Sequence, residues 1–224
     1  MCCLLAPTLA NWSHARAYIA PRTPVSVGRW CWGGAAGTEV KFDASKSGVA
    51  YAALGDPSGS VLNGVYKSLD GGVTWNSANG TGSYSIPASA GGRIRLAQSA
   101  NSPATLYAAV SKSIVTEDSA LGVFKTTDGG ANWSPLSSAS DYCGSACNYH
   151  EAIAVHPLDA NTVVVGGILP YLSTDGGATW SRLEFDRVGT QLHPDVQALA
   201  WTADGSRFFI ACDGGLLSPA VSAL

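Results

Sequence analysis

Short apolar runs recur along the chain in pairs, each pair joined by a polar turn. The pairs are Val40-Lys41-Phe42 with Val49-Ala50-Tyr51-Ala52, and Ile94-Arg95-Leu96-Ala97 with Leu106-Tyr107-Ala108-Ala109-Val110. Ile153-Ala154-Val155 with Val163-Val164-Val165-Gly166, and Ala198-Leu199-Ala200-Trp201 with Phe208-Phe209-Ile210-Ala211, follow the same plan. Runs of this length bounded by turn residues predict β-strands, and no segment holds a sustained helical period with caps. The chain therefore reads as all-β.

A third strand signal closes each unit. Val65-Tyr66-Lys67 leads into Ser68-Leu69-Asp70-Gly71-Gly72-Val73-Thr74-Trp75, and the same octamer stands at Ser173-Thr174-Asp175-Gly176-Gly177-Ala178-Thr179-Trp180. A near copy, Thr126-Thr127-Asp128-Gly129-Gly130-Ala131-Asn132-Trp133, lies between them. Asp-Gly-Gly after a strand predicts a tight hairpin, because glycine accepts the positive φ that the turn demands. The aspartate is expected to accept turn amides, and the Ser or Thr two residues earlier to bond back to the backbone. The Trp at the start of the next strand supplies a large apolar surface, so Trp75, Trp133 and Trp180 are expected to be buried between sheets. On this reading Ser68, Asp70, Gly72, Thr126, Asp128, Gly130, Ser173, Asp175 and Gly177 are structural.

The octamers resemble the Asp-box, or BNR repeat, of sialidases, sortilin-type receptors and related β-propellers. Asp70 and Asp128 are 58 residues apart and Asp128 and Asp175 are 47 apart, close to the roughly 40–50 residues of a four-stranded blade. The expected architecture is a β-propeller present as about three and a half blades, with repeats at about 37–80, 90–136, 150–183 and 196–224. In the last repeat Ser218 falls in the box serine slot and Ala220 in the aspartate slot. Residues 1–36 form an N-terminal segment with no assigned structure. An arc of this size leaves apolar blade faces to cover, so the expectation is a piece of a longer protein, or a ring completed by another copy or chain.

Composition excludes several function classes. Only 13% of the 224 residues are charged, about half the usual share. The net charge is −3 and Lys and Arg are scattered, so no nucleic-acid footprint is present. No apolar run is long enough for a membrane span. The six cysteines show no zinc spacing with sufficient ligands, and neither metal nor cofactor is expected. Cys143 and Cys147 sit in a turn-rich loop and could close a small disulfide ring in an oxidising compartment; the alternative is two free thiols. Residues 1–20 hold a short apolar run without a basic start, so no clear signal peptide accompanies the expected extracellular or periplasmic placement.

In an up-and-down blade the Asp-box turns share one face, and the long connections lie on the other, where loops free of packing carry binding groups. Residues just before the inner strands should ring the channel mouth: Arg93, His150 with Glu151, and Asp195 with Gln197. Tyr149 and His193 join them, and the histidines could make binding depend on pH between about 5 and 8. The run from Tyr142 to Pro157, and His193-Pro194-Asp195-Val196-Gln197, resemble bacterial secreted sortilin-like or sialidase-like repeat proteins, some with a second His where Gln197 stands. That resemblance implies a propeller binding a glycan, peptide or protein. The alternative is part of a glycoside hydrolase of xyloglucanase or sialidase type. Tyr51-Ala52-Ala53-Leu54-Gly55-Asp56 is similar to the xyloglucanase pattern and makes Asp56 the implied base.

Overall fold

The computed structural model describes residues 36–136 and 142–219. The first sheet comprises β1 (Gly37–Phe42), β2 (Ala50–Leu54), β3 (Gly64–Ser68) and β4 (Asn76–Ser77). A two-stranded excursion of β5 (Gly80–Thr81) and β6 (Tyr84–Ser85) precedes the second sheet. That sheet holds β7 (Gly91–Gln98), β8 (Leu106–Lys112), β9 (Ala120–Thr126) and β10 (Ser134–Pro135). The third holds β11 (Ala152–Val155), β12 (Val163–Gly166), β13 (Pro170–Ser173) and β14 (Ser181–Arg182). β15 (Val196–Trp201), β16 (Phe208–Cys212) and β17 (Gly215–Leu217) make a three-stranded fourth sheet.

Every sheet is an antiparallel meander in chain order. The first strands lie side by side, β1 against β7, β7 against β11 and β11 against β15, which is the propeller arrangement. The chain is thus all-β, with four small sheets placed as blades. Ala220, and the Cys2, Cys3 and Cys31 thiols, lie outside the described residues. Ser218, in the slot of the box serines, donates instead to Phe208 O at 2.9 Å.

The core lies between blades. One apolar cluster joins Tyr51, Ala53 and Val65 of the first blade to Ile94, Leu96, Leu106 and Trp133 of the second. A second joins Tyr107 and Val123 to Ile153, Val163 and Val165, and a third joins Val164 to Phe208 and Ile210. Burying these faces is what drives neighbouring blades together.

The box glycines take the backbone angles that the turn requires, φ of 75° and 90° at Gly71 and Gly72 and similar values in the other two boxes. An L side chain is disfavoured there. Each turn also ties to the first turn of its own blade, through Gly71 N to Gly48 O, Gly129 N to Ala104 O and Gly176 N to Asn161 O, all at 2.8–2.9 Å. The boxes and the first turns therefore share a face.

The expected burial of all three box tryptophans needs correction. Trp133 is fully buried, with its ring N–H on Ala78 O at 2.7 Å and its backbone N–H on Tyr84 O. Trp75 and Trp180 are only half-buried. Among the described residues only Trp133 is bonded to an excursion such as β5–β6; Trp75 donates to Gly72 O of its own turn.

Two of the three blade junctions carry a polar key on top of the apolar packing. Lys67 sits 5.2 Å above the Tyr51 ring and donates to Gly129 O in the next blade. Lys125 sits 5.4 Å above Tyr107 and donates to Asn161 Oδ1. At the third junction the register-equivalent pair is Val164 and Leu172, and the contact is apolar.

Candidate functional site

Each box aspartate is saturated by its own turn. Asp70 accepts Ser68 Oγ–H at 2.8 Å, Thr74 N–H at 2.8 Å and Thr74 Oγ1–H at 2.6 Å. Asp128 and Asp175 repeat this with Thr126 and Asn132, and with Ser173 and Thr179. The Thr74 bonds hold Asp70 at about 2, and hydrogen bonds hold Asp128 and Asp175 below the usual carboxylate range. Carboxylates so engaged have little capacity left for a ligand.

At the opposite face, side chains from three blades converge. Gln197, on β15, donates from one amide nitrogen to His150 Nδ1 at 3.1 Å and to Asp213 Oδ1 at 3.0 Å. His150, just before β11, has its Nε2 3.6 Å from Asp195 Oδ1. Asp195 reaches that position from a left-handed backbone at φ 68°, and its N–H bonds to Ile168 O. With Nδ1 accepting from Gln197, the assigned tautomer carries its proton on Nε2, toward Asp195. Tyr149 is exposed and meets the His150 ring edge-on at 4.6 Å. Exposed His193 bonds to Pro194 O and packs on Gly214, beside Asp213.

Arg93 enters from β7. Its Nη1 donates to Asn148 O at 3.0 Å and Tyr149 O at 3.3 Å, so it braces the loop that presents Tyr149 and His150. Burial, then repulsion from Arg95, lowers its pKa. Asn148 is the hub of the region. Its Oδ1 accepts from Arg93 N and Ser111 Oγ, and its Nδ2 donates to Lys112 O and Asp118 Oδ1. Asn148 and Asp213 were absent from the sequence-derived candidates. Their roles depend on partners from other blades or loops, and the one local hint for Asn148 is its place beside Cys147.

Glu151 does not ring the mouth. It is 2% exposed, accepts Tyr142 Oη–H at 2.8 Å on Oε1, and has no hydrogen-bond partner for Oε2. Burial pushes its pKa to about 8, against the pull of Tyr142, Arg93 and Arg95, so the carboxyl is largely neutral at pH 7. It sits inward because it stands directly before β11, whose first residues, Ala152 and Ile153, are buried. The same loop holds Cys143 and Cys147, both buried and joined as a disulfide. Asp56 turns into its own loop, accepting Ser58 N–H at 2.9 Å, while Asn63 bonds to the Asp56 backbone.

Of the long connections, two are only partly available to this face. Residues 80–85 form the hairpin against Trp133. Residues 185–191 make a bridge of their own, and Arg187 bonds to Ser218 O and Ser206 O. Among the described residues no cluster of His, Cys, Asp and Glu suits a metal, and no helix is long and apolar enough to cross a membrane.

A BNR/Asp-box repeat model matches residues 171–182. The fold resembles the GH74 xyloglucanase from Xanthomonas campestris, at 19% identity and TM-score 0.61 over 86% of this chain and 31% of that one. It also resembles the Niastella koreensis GH74 enzyme, at 19% identity and TM-score 0.56 over 80% of this chain and 26% of that one. YCF48 from Cyanidioschyzon merolae is similar at 13% identity and TM-score 0.54, over 84% and 54% of the two chains. The chain thus spans about a third or less of the two GH74 chains and about half of YCF48, and at these identities the likeness concerns the fold alone. No curated protein sequence matches.

Proposed function

We propose that this Asp-box propeller is a binding scaffold, taking a glycan, peptide or protein ligand at the channel mouth opposite its boxes, without catalysis of its own. The observation that carries this is the convergence of Arg93, Tyr149, His150, Asp195, Gln197 and His193 from three blades, with Gln197 bonded across to His150 and Arg93 bracing the Tyr149–His150 loop. The network offers an exposed aromatic ring, two imidazoles and carboxylates in one place, a mixture suited to orienting a polar ligand. Hydrolysis of a glycoside would need two cooperating carboxyl groups roughly 5–9.5 Å apart. Asp56 is bonded into its loop and Glu151 is sealed beneath Tyr142, which weighs toward binding. The buried Cys143–Cys147 bond fits an extracellular or periplasmic setting.

The test is a glycan and peptide array probed with the full chain, followed by His150→Ala, Asp195→Ala and Arg93→Ala combined. Loss of the bound ligand supports the mouth. Ligand retained by the triple variant but lost on altering exposed box-face residues would place the site on the other face. Turnover of xyloglucan or a sialoside, abolished by Asp56→Ala, would replace binding with hydrolysis.

A further inference from the structure

The same face holds a second surface away from the channel mouth. The loop 113–119, between β8 and β9, stands as a ridge with a cleft on either side. The first cleft, about 540 Å³, separates the ridge from the loop 56–63, with Val61 and Val115 on its walls. The second, about 480 Å³, separates the ridge from residues 142–145 and is lined by Asp118. Leu121 borders both clefts.

Val61 is 90% exposed, Val115 74% and Ile114 49%. Three β-branched aliphatics at two adjoining loop tips form an apolar patch in water. The loops that carry them are held from below. Ile114 N–H bonds to Pro57 O, Thr116 and Glu117 N–H to Ser113 O, and Lys112 pairs with Glu117 at 2.7 Å. A patch fixed this firmly loses little freedom when covered.

The charges differ across the ridge. Glu117 is neutralised by Lys112, whereas Asp118 has no cationic partner among the described residues and takes its bonds from Asn148 on Oδ1. The first cleft therefore presents the methyls of Val61, Val115 and Leu121 among serine and threonine hydroxyls, and the second an uncompensated carboxylate. We propose that the ridge docks a segment of another protein, which lays a large apolar side chain in the first cleft and a Lys or Arg side chain beside Asp118 in the second. A neutral sugar carries no cation to pair with Asp118, which favours a polypeptide.

The probe is a set of capped hexapeptides pairing one leucine with one lysine at each spacing, read by methyl NMR on the full chain. Controls carry serine for the leucine or glutamate for the lysine. A saturable shift of the Val61, Val115 and Leu121 methyls is expected with one spacing. Val61→Ser and Val115→Ser, both on exposed side chains that the fold does not need, should each weaken it about tenfold. Asp118→Asn keeps the Oδ1 acceptor and should abolish the preference for lysine over glutamate. No saturable shift with any peptide, equal binding of the controls, or saturation of the same methyls by a cello-oligosaccharide instead would overturn the proposal. Val61 and Val115 lie outside the channel mouth, and Asp118→Asn keeps the Oδ1 that holds Asn148, so failure there and failure here are read separately.

Discussion

Glu151 makes stability depend on pH in the opposite sense to most carboxylates. An acid raised from 4.5 to about 8 by burial binds its proton in the folded state while the unfolded chain has released it. Stability is then fullest below about pH 4.5, declines as pH rises and levels off above about pH 8. The full displacement corresponds to roughly 5 kcal/mol, a ceiling because the loop 142–151 can open and admit water first. Glu151→Gln preserves volume and the oxygen that accepts from Tyr142, and removes the ionisation. Urea unfolding of both proteins at about pH 5, 7 and 9 should show the wild type losing about 2 kcal/mol or more relative to the variant over that range. Parallel pH profiles would refute the buried neutral carboxyl.

Trp133→Ala should cost about 3–5 kcal/mol in denaturant unfolding and Trp75→Ala less than half of that, since only Trp133 is fully enclosed. Asp70 is held at about 2, so its contribution is present above pH 3.8 and lost as pH falls through about 2; Asp70→Asn should flatten the acid limb of the melting profile. Asn148→Ala removes four partners of the loop hub and should cost roughly 1–3 kcal/mol, with faster amide exchange at Tyr149 and His150. Replacing Cys143 and Cys147 with serine should cost about 2 kcal/mol and expose the loop to protease, because the closed ring is short. Mass spectrometry finding both thiols free in secreted material would rule the bond out.

The blade plan was legible because its determinants are local. A Ser or Thr, an Asp and two glycines within five positions make the same bonds wherever they occur, and strands of alternating character flank them. The site was legible only in outline. Arg93, His150, Asp195 and Gln197 are placed by the strand ends, which the repeat predicts. What they bond to is set by residues from other blades, as Gln197 to His150 and Arg93 to Asn148 show. Glu151 illustrates the limit: beside His150 in sequence it reads as a mouth residue, yet it heads a run of consecutively buried residues, Glu151, Ala152 and Ile153, and is capped by Tyr142 from the preceding loop. The half-burial of Trp75 and Trp180 was hidden for a related reason, since cover depends on what the neighbouring connection does.

The polar keys at the first two junctions, and their replacement by Val164 and Leu172 at the third, imply an uneven response to mechanical load. A charged hydrogen bond is short in range and breaks abruptly, whereas an apolar contact tolerates sliding because its attraction has no preferred direction. Pulled from its two ends, the arc should slide in the Val164–Leu172 layer only after the mouth-side bonds of that junction, Gln197 to His150 and Asp195 N–H to Ile168 O, have parted. The third junction would then creep, whereas the first two would stay locked until their lysine keys break.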